Sequence, residues 1–198
     1  MRSVKLTIGT REIDMPRVTA EFRNLARAST RASRKWLKEH NKNTTGNLSK
    51  SIGWEVDVDR TTSKMTFRSD IRAPYWAFVE YGVQGFISSK KAPESPFKFG
   101  SMTGPRNGLN PAIDRWVIRK GLPGFRNEAG RFVPRKEQVR QISRKIFLYG
   151  IEPSPFASEP LGRLWPKYHA RIQTAYREDI EAFMREIFGE EYILKIKN

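Results

Sequence analysis

The 198 residues are 38% apolar and 12% aromatic, enough for a packed core, and the absence of cysteine excludes disulfides, thiolate zinc sites and a cysteine nucleophile. No run of about 18 apolar residues is present to span a bilayer, and residues 1–14 alternate apolar and polar side chains without the apolar block of a signal peptide, so the expectation is a soluble chain made in the cytoplasm. The net charge of +16 falls in two blocks, residues 1–50 and 101–150, each +8 by count of Lys and Arg against Asp and Glu, and a surplus of that size attracts polyanions or acidic neighbours.

Residues 3–9 put Val4, Leu6 and Ile8 on one face at period two, which predicts a short strand. From 16 to 39 the period changes. Val18, Phe22, Leu25, Ala26, Ala32, Trp36 and Leu37 share one side of a helix with Pro16 in its first turn, and Arg23, Arg27, Arg31, Arg34 and Lys38 cluster on the other. Glu21 and Glu39 lie only near the ends, so i,i+4 pairing cannot neutralise the middle of this stripe. Its plain reading is a solvated face. Its functional reading is a surface for an acidic protein or a nucleic-acid phosphate.

Residues 52–58 alternate Ile52, Trp54, Val56 and Val58 against Gly53, Glu55 and Asp57, and 64–70 alternate again through Met65 and Phe67 after a polar turn, predicting a β-hairpin. Residues 73–82, with Tyr75, Trp76, Phe78 and Tyr81, are too aromatic for a solvated loop and read as a short helix or irregular strand, more readily core than a base-stacking platform. Residues 83–108 carry Gly, Pro, Ser and Lys without period and predict a long loop insertion, mobile in the free chain. Its Phe86, Phe97 and Phe99 would fill pockets on a neighbour, with Lys90, Lys91 and Lys98 facing acidic groups.

Asn110 and Pro111 read as the N-cap and first position of a helix through Ile113, Trp116, Val117 and Lys120, stopped by Gly121. A small hairpin is expected over 125–133. A second basic helix over 134–149 has Val139, Ile142 and Ile146 as its seam, Lys136, Arg140, Arg144 and Lys145 off it, and Gly150 as its C-cap. The last helix is predicted over 166–188 on Tyr168, Ile172, Tyr176, Ile180, Phe183 and Ile187, stopped by Gly189, with Tyr192, Leu194 and Ile196 as a final strand. Trp54, Phe78 and Ile146 lie on the apolar sides of their segments and are expected in the core. The fold class that results is α+β: a small antiparallel sheet packed by an N-terminal amphipathic helix and further helices, with a long loop insertion and a long C-terminal helix. Residues 1–198 are expected to form a single domain, with 157–198 as its C-terminal helical extension.

Little here points to catalysis. His40 and His169 are the two histidines, no HxxxH or clustered acid spacing accompanies them, and no GxxxxGK[ST] or GxGxxG loop is present. Asp70 and Glu80 could be imagined as acid and base, but no second element converges on them. The expectation is a non-enzyme with no catalytic residue, metal or cofactor.

Four short elements follow one another in order. They are Thr45-Gly46-Asn47-Leu48-Ser49-Lys50-Ser51-Ile52, then Ala73-Pro74-Tyr75-Trp76-Ala77-Phe78-Val79-Glu80-Tyr81-Gly82, then the basic helix ending Arg144-Lys145-Ile146 with Gly150-Ile151, and last Pro153-Ser154-Pro155-Phe156. In this order and spacing they resemble the neck and tail-completion family of long-tailed bacteriophages, whose members are also described as minor tail components and head-tail joining proteins. The second element is similar to that family's Ala-Pro-Tyr-Ala-x-Phe-Val-Glu-x-Gly signature, and the long insertion after Gly82 departs from the family's earlier turn. The resemblance implies a structural virion protein at the head-tail junction, assembled with itself as a ring, a hexamer in preference to a dodecamer. Such a ring joins the head connector to the tail and completes the tail. Its partners would be the adjacent connector and tail proteins, with DNA passing through without sequence-specific binding and with no membrane involved. On that reading Arg23, Arg27, Arg31, Arg34, Lys38, Arg140 and Arg144 form the docking face toward acidic neighbouring rings. The alternative is a basic nucleic-acid-binding protein, supported by a pI near 10.4 and two basic helices but lacking a helix-turn-helix, RRM, KH or zinc pattern.

Overall fold

The computed structural model of the chain describes residues 4–8, 11–58, 63–69, 74–100 and 108–189. In chain order these form β1 (Val4–Ile8), β2 (Arg11–Met15), α1 (Pro16–Glu39), α2 (Asn47–Ser51), β3 (Ile52–Val58), β4 (Ser63–Ser69), α3 (Trp76–Tyr81), β5 (Val83–Gln84), α4 (Leu109–Lys120), α5 (Arg135–Tyr149), β6 (Gly150–Ile151) and α6 (Ser158–Phe188). The fold is α+β, with three two-stranded antiparallel sheets among the described residues. The strand expected around Tyr192, Leu194 and Ile196 lies outside the described residues. The chain divides into two compact units, one from Met1–Glu39, Ser49–Arg72 and Ala157–Asn198, the other from His40–Leu48 and Ala73–Phe156.

In the first unit, α1 buries Val18, Phe22, Leu25, Ala26, Ser29, Ser33, Trp36 and Leu37, a stripe at three- and four-residue spacing. Helix α6 runs antiparallel along it, since Arg17 meets Asp179, Glu21 meets Arg171 and Trp36 meets Glu159. Met15, Val18, Phe22 and Leu25 pack with Tyr168, Ile172 and Ala175 as one core cluster, and Val56 and Met65 of the β3–β4 hairpin close over it. Leu25 is fully buried there, so truncating it to Ala would cost about 2–5 kcal/mol. Trp54 stands opposite Phe67 in the hairpin register, ring edge to ring face at 5.3 Å, and is half-buried. Strand β2 is an element the alternation of residues 3–9 does not announce. It pairs with β1 over five residues, from Val4 opposite Met15 to Ile8 opposite Arg11.

Helix α6 begins at Ser158, earlier than the expected 166, and carries Pro166 in its interior. Proline at that position loses one hydrogen bond, to the Gly162 carbonyl, and interior proline costs about 3 kcal/mol. Leu161, Leu164 and Tyr168 offset the loss by packing on the α1 core from both sides of Pro166. Pro160 falls in the first turn, where no N–H partner is required.

In the second unit, β5 pairs with β6, Val83 opposite Ile151 and Gln84 opposite Gly150. Gly82 and Gly150 both hold positive φ, 69° and 82°, and a Cβ on either would run into the facing strand's backbone. The expectation of a mobile, unpartnered insertion is corrected for residues 83–100. Gln84 N–H donates to the Phe97 carbonyl at 2.8 Å, Phe99 N–H to the Gln84 carbonyl at 3.0 Å, Phe86 N–H to the Phe147 carbonyl at 2.9 Å and Ile87 N–H to the Leu148 carbonyl at 3.1 Å. The backbone finds its partners one at a time across the end of α5, which leaves no periodic trace in sequence.

Two smaller expectations also change. Gly108, with Asn110 already inside the helix, is the N-cap of α4, and Pro111 still lies in the first turn, where its missing N–H costs nothing. Phe78 is 46% exposed, whereas Ile146 is half-buried. The Phe78 ring packs against Phe97, centroids 4.5 Å apart, and also lines an open cleft. The expected small hairpin is present as an Arg126–Phe132 bridge around a turn at Asn127 to Gly130.

Candidate docking cleft

A cleft of about 590 Å³ opens in the second unit, and residues distant in sequence wall it. The loop after α1 contributes Asn41 to Gly46 and then the buried Leu48. Asn41 and Gly46 both take positive φ, a conformation Asn and Gly accept at least cost, and this turns the loop back on itself. Helix α3 contributes Phe78 and Val79, with Tyr75 just before it, while α4 contributes Trp116 and Lys120. Ile151, Glu152 and Ser154 form the remaining wall.

Backbone contacts hold these walls together. Ser154 N–H donates to the Val79 carbonyl at 2.8 Å, and Gly82 lies against the backbone of residues 151–153 so closely that a side chain has no room. The Lys120 ammonium donates to the Asn41 carbonyl at 2.7 Å, tying α4 to the turn. Tyr75, Phe78, Trp116 and Ile151 remain 39%, 46%, 38% and 39% exposed. The lining is therefore apolar and open, with His40, Lys42, Tyr75, Lys120 and Glu152 as its ionisable residues. Such a site can bury apolar anchors of a partner but offers no converging set of groups for acid-base or nucleophilic chemistry. Among the described residues no group of three or more His, Cys, Asp or Glu could hold a metal ion, and no helix is long and apolar enough to cross a membrane. Asp70, the imagined partner of Glu80, lies outside the described residues.

Comparison with protein-family models, with curated proteins and with solved structures finds no match.

The residues of the expected docking face are carried by both units. Arg23, Arg27, Arg31, Arg34 and Lys38 are all exposed along α1 in the first. Arg34 has a task within its own unit, donating from Nε to the Ser49 carbonyl at 2.9 Å and from a terminal nitrogen to the Ile52 carbonyl at 3.4 Å, which clamps α1 to the start of β3. Arg27 donates to Asn24 Oδ1 at 3.0 Å on the helix surface. Arg140 and Arg144 are exposed on α5 in the second unit, Arg140 lying 3.6 Å from Glu137.

The phenylalanines of the insertion already have partners in their own unit, contrary to the expectation that they await a neighbour. Phe86 stacks on Phe147 at 5.5 Å, Phe99 lies 5.7 Å from the same ring, and Phe97 packs on Phe78. Lys90 and Lys91 are exposed, and Lys91 lies 3.9 Å from Glu152. Sequence reasoning missed the cleft itself. The sequence places Trp116 and Val117 together on one helix without assigning either a face, and α4 buries Val117 while Trp116 stays 38% exposed.

Proposed function

We propose that the chain is a structural, non-enzymatic protein of a phage neck, forming a ring that joins the head connector to the tail and completes the tail. The observation that carries this reading is the convergence of the resemblance. Thr45, Gly46 and Leu48 of the first element, Tyr75, Phe78 and Val79 of the second, Ile151 closing the third and Ser154 of the fourth all line one cleft. Short elements scattered over more than a hundred residues resemble the neck family in sequence, and in space they build a single apolar site.

Surface chemistry supports a role in assembly. Twelve of the fifteen exposed large apolar side chains among the described residues belong to the second unit, from Tyr75 to Ile151, and apolar surface gathered this way marks interaction sites. The one-signed cation face of α1 suits docking against acidic neighbours, where charge sets register more than affinity. The test is an add-back assay. Heads and tails made without the chain should remain separate, and the purified chain should join them into infective particles. Separate heads and tails after addition would contradict the reading.

The exposed arginines of α1 favour a second reading, sequence-independent nucleic-acid binding. Salt separates the two. A nucleic-acid binder retains duplex at about 150 mM salt with a steep salt slope, whereas a neck protein releases it.

A further inference from the structure

We propose that the cleft of the second unit receives the segment that follows Gly189 in a second copy of this chain. This docking rests on the proposed ring, in which each copy would fill the cleft of its neighbour. The cleft presents Tyr75, Phe78 and Trp116 to solvent, and Lys42 and Lys120 line the same opening. An ammonium has three donors, and the Asn41 carbonyl occupies one of those of Lys120. Lys42 and Lys120 outnumber the one lining carboxylate, Glu152, which lies 3.9 Å from the Lys91 ammonium, so the apolar walls call for an occupant that pairs acids with large apolar residues. A volume of about 590 Å³ is within the range of sites that bury a compact ligand, so a few side chains fill it.

This chain carries such an occupant. Helix α6 stops at Gly189, whose φ is 73° and whose N–H closes on the Arg185 carbonyl at 3.0 Å. The sequence then continues Glu190-Glu191-Tyr192-Ile193-Leu194. Nowhere else in the chain do two adjacent acids precede an aromatic and two aliphatic residues. Tyr192 and Leu194 supply the apolar anchors, and Glu190 and Glu191 complement Lys42 and Lys120. A cleft on one copy and a segment on the next make a heterologous contact, which repeats in one direction and closes as a ring when the rotation allows it.

The experiment is a mixing assay read by sedimentation velocity. One variant, Trp116→Ala with Tyr75→Ala, loses the cleft walls. The other ends at Gly189 and loses the segment. Both aromatic side chains are substantially exposed, and far-UV circular dichroism checks that each variant remains folded. The full chain should sediment as a species larger than a monomer and each variant as a monomer. Their mixture should give a dimer and nothing larger, because one sound segment then meets one sound cleft. As a second measurement, a labelled peptide of residues 189–198 should bind the chain ending at Gly189. Binding should weaken at least tenfold with Glu190→Lys and Glu191→Lys, and recover when those changes meet Lys42→Glu and Lys120→Glu. A monomeric full chain, variants that stay oligomeric, or a mixture that forms no dimer would overturn the proposal. If the mixing assay fails while the chain still joins heads to tails in the add-back assay, the docking falls and the neck reading stands. If the chain assembles this way but joins nothing, the neck reading falls instead.

Discussion

Asp179 Oδ2 lies 3.0 Å from the backbone nitrogen of Val18, so a carboxylate on α6 caps the N-terminus of α1 across 161 residues of sequence. The same oxygen accepts the Arg17 N–H at 3.0 Å, and the Arg17 guanidinium reaches Oδ1 at 3.2 Å. The first N–H groups of a helix have no partner within it, and a carboxylate there also meets the positive end of the helix dipole. Asp179→Ala leaves two N–H groups without this acceptor and should lower unfolding stability by about 1–3 kcal/mol. Urea denaturation measures it, and an unchanged midpoint would show that the cap contributes nothing.

The β5–β6 crossing makes a sharper prediction. At Gly121 the left-handed φ of 60° is in open space, so Gly121→Ala should cost only the strain of that conformation, about 1–2 kcal/mol. Gly150 combines a φ of 82° with the Val83 carbonyl and the Gly85 nitrogen in the space a Cβ would occupy. Gly150→Ala should therefore lower the melting temperature well beyond Gly121→Ala. Equal shifts for the two would mean that the strands are not in close contact.

Hydrogen exchange tests the folded part of the insertion. In the isolated chain the amides of Gln84, Phe86, Ile87 and Phe99 should be protected, because each donates to a backbone carbonyl of its own unit. Exchange at the rate of an unfolded peptide would restore the picture of a loop that awaits a partner.

Most of the regular elements were legible because their cause is periodic. The three- and four-residue stripe of α1 and the alternation through Ile52, Trp54 and Val56 set both the elements and the residues that face the core. Gly121, Gly150 and Gly189 stop helices as C-cap residues, each at positive φ. What was not legible depends on tertiary partners. Asp179 reads as one more charge on a helix until Val18 is placed beside it, and Arg34 reads as one of five equivalent cations until Ser49 and Ile52 lie within reach. The cleft belongs to this second kind. Leu48, Phe78, Trp116 and Ile151 share no period; the backbone crossing at Gly82 and Gly150 joins the segments of Phe78 and Ile151, and the Lys120 contact with Asn41 joins the helix of Trp116 to the turn before Leu48.

The distinct place of Arg34 divides the cation stripe. Arg27→Glu with Arg31→Glu changes exposed side chains and should shift stability by no more than about 0.5 kcal/mol per site, while abolishing the joining of heads to tails. Arg34→Glu should itself destabilise the first unit, since it removes the donors to the Ser49 and Ile52 carbonyls. Normal joining by the double variant would take the stripe out of assembly.

A protein of the phage neck has one place in the particle, and electron microscopy of tagged particles can locate it. With a gold-labelled tag on the chain, label should be confined to the junction between head and tail, and heads should stay separate from tails when the chain is withheld. Label on the capsid shell or the tail tip, or joined particles made without the chain, would contradict the neck reading.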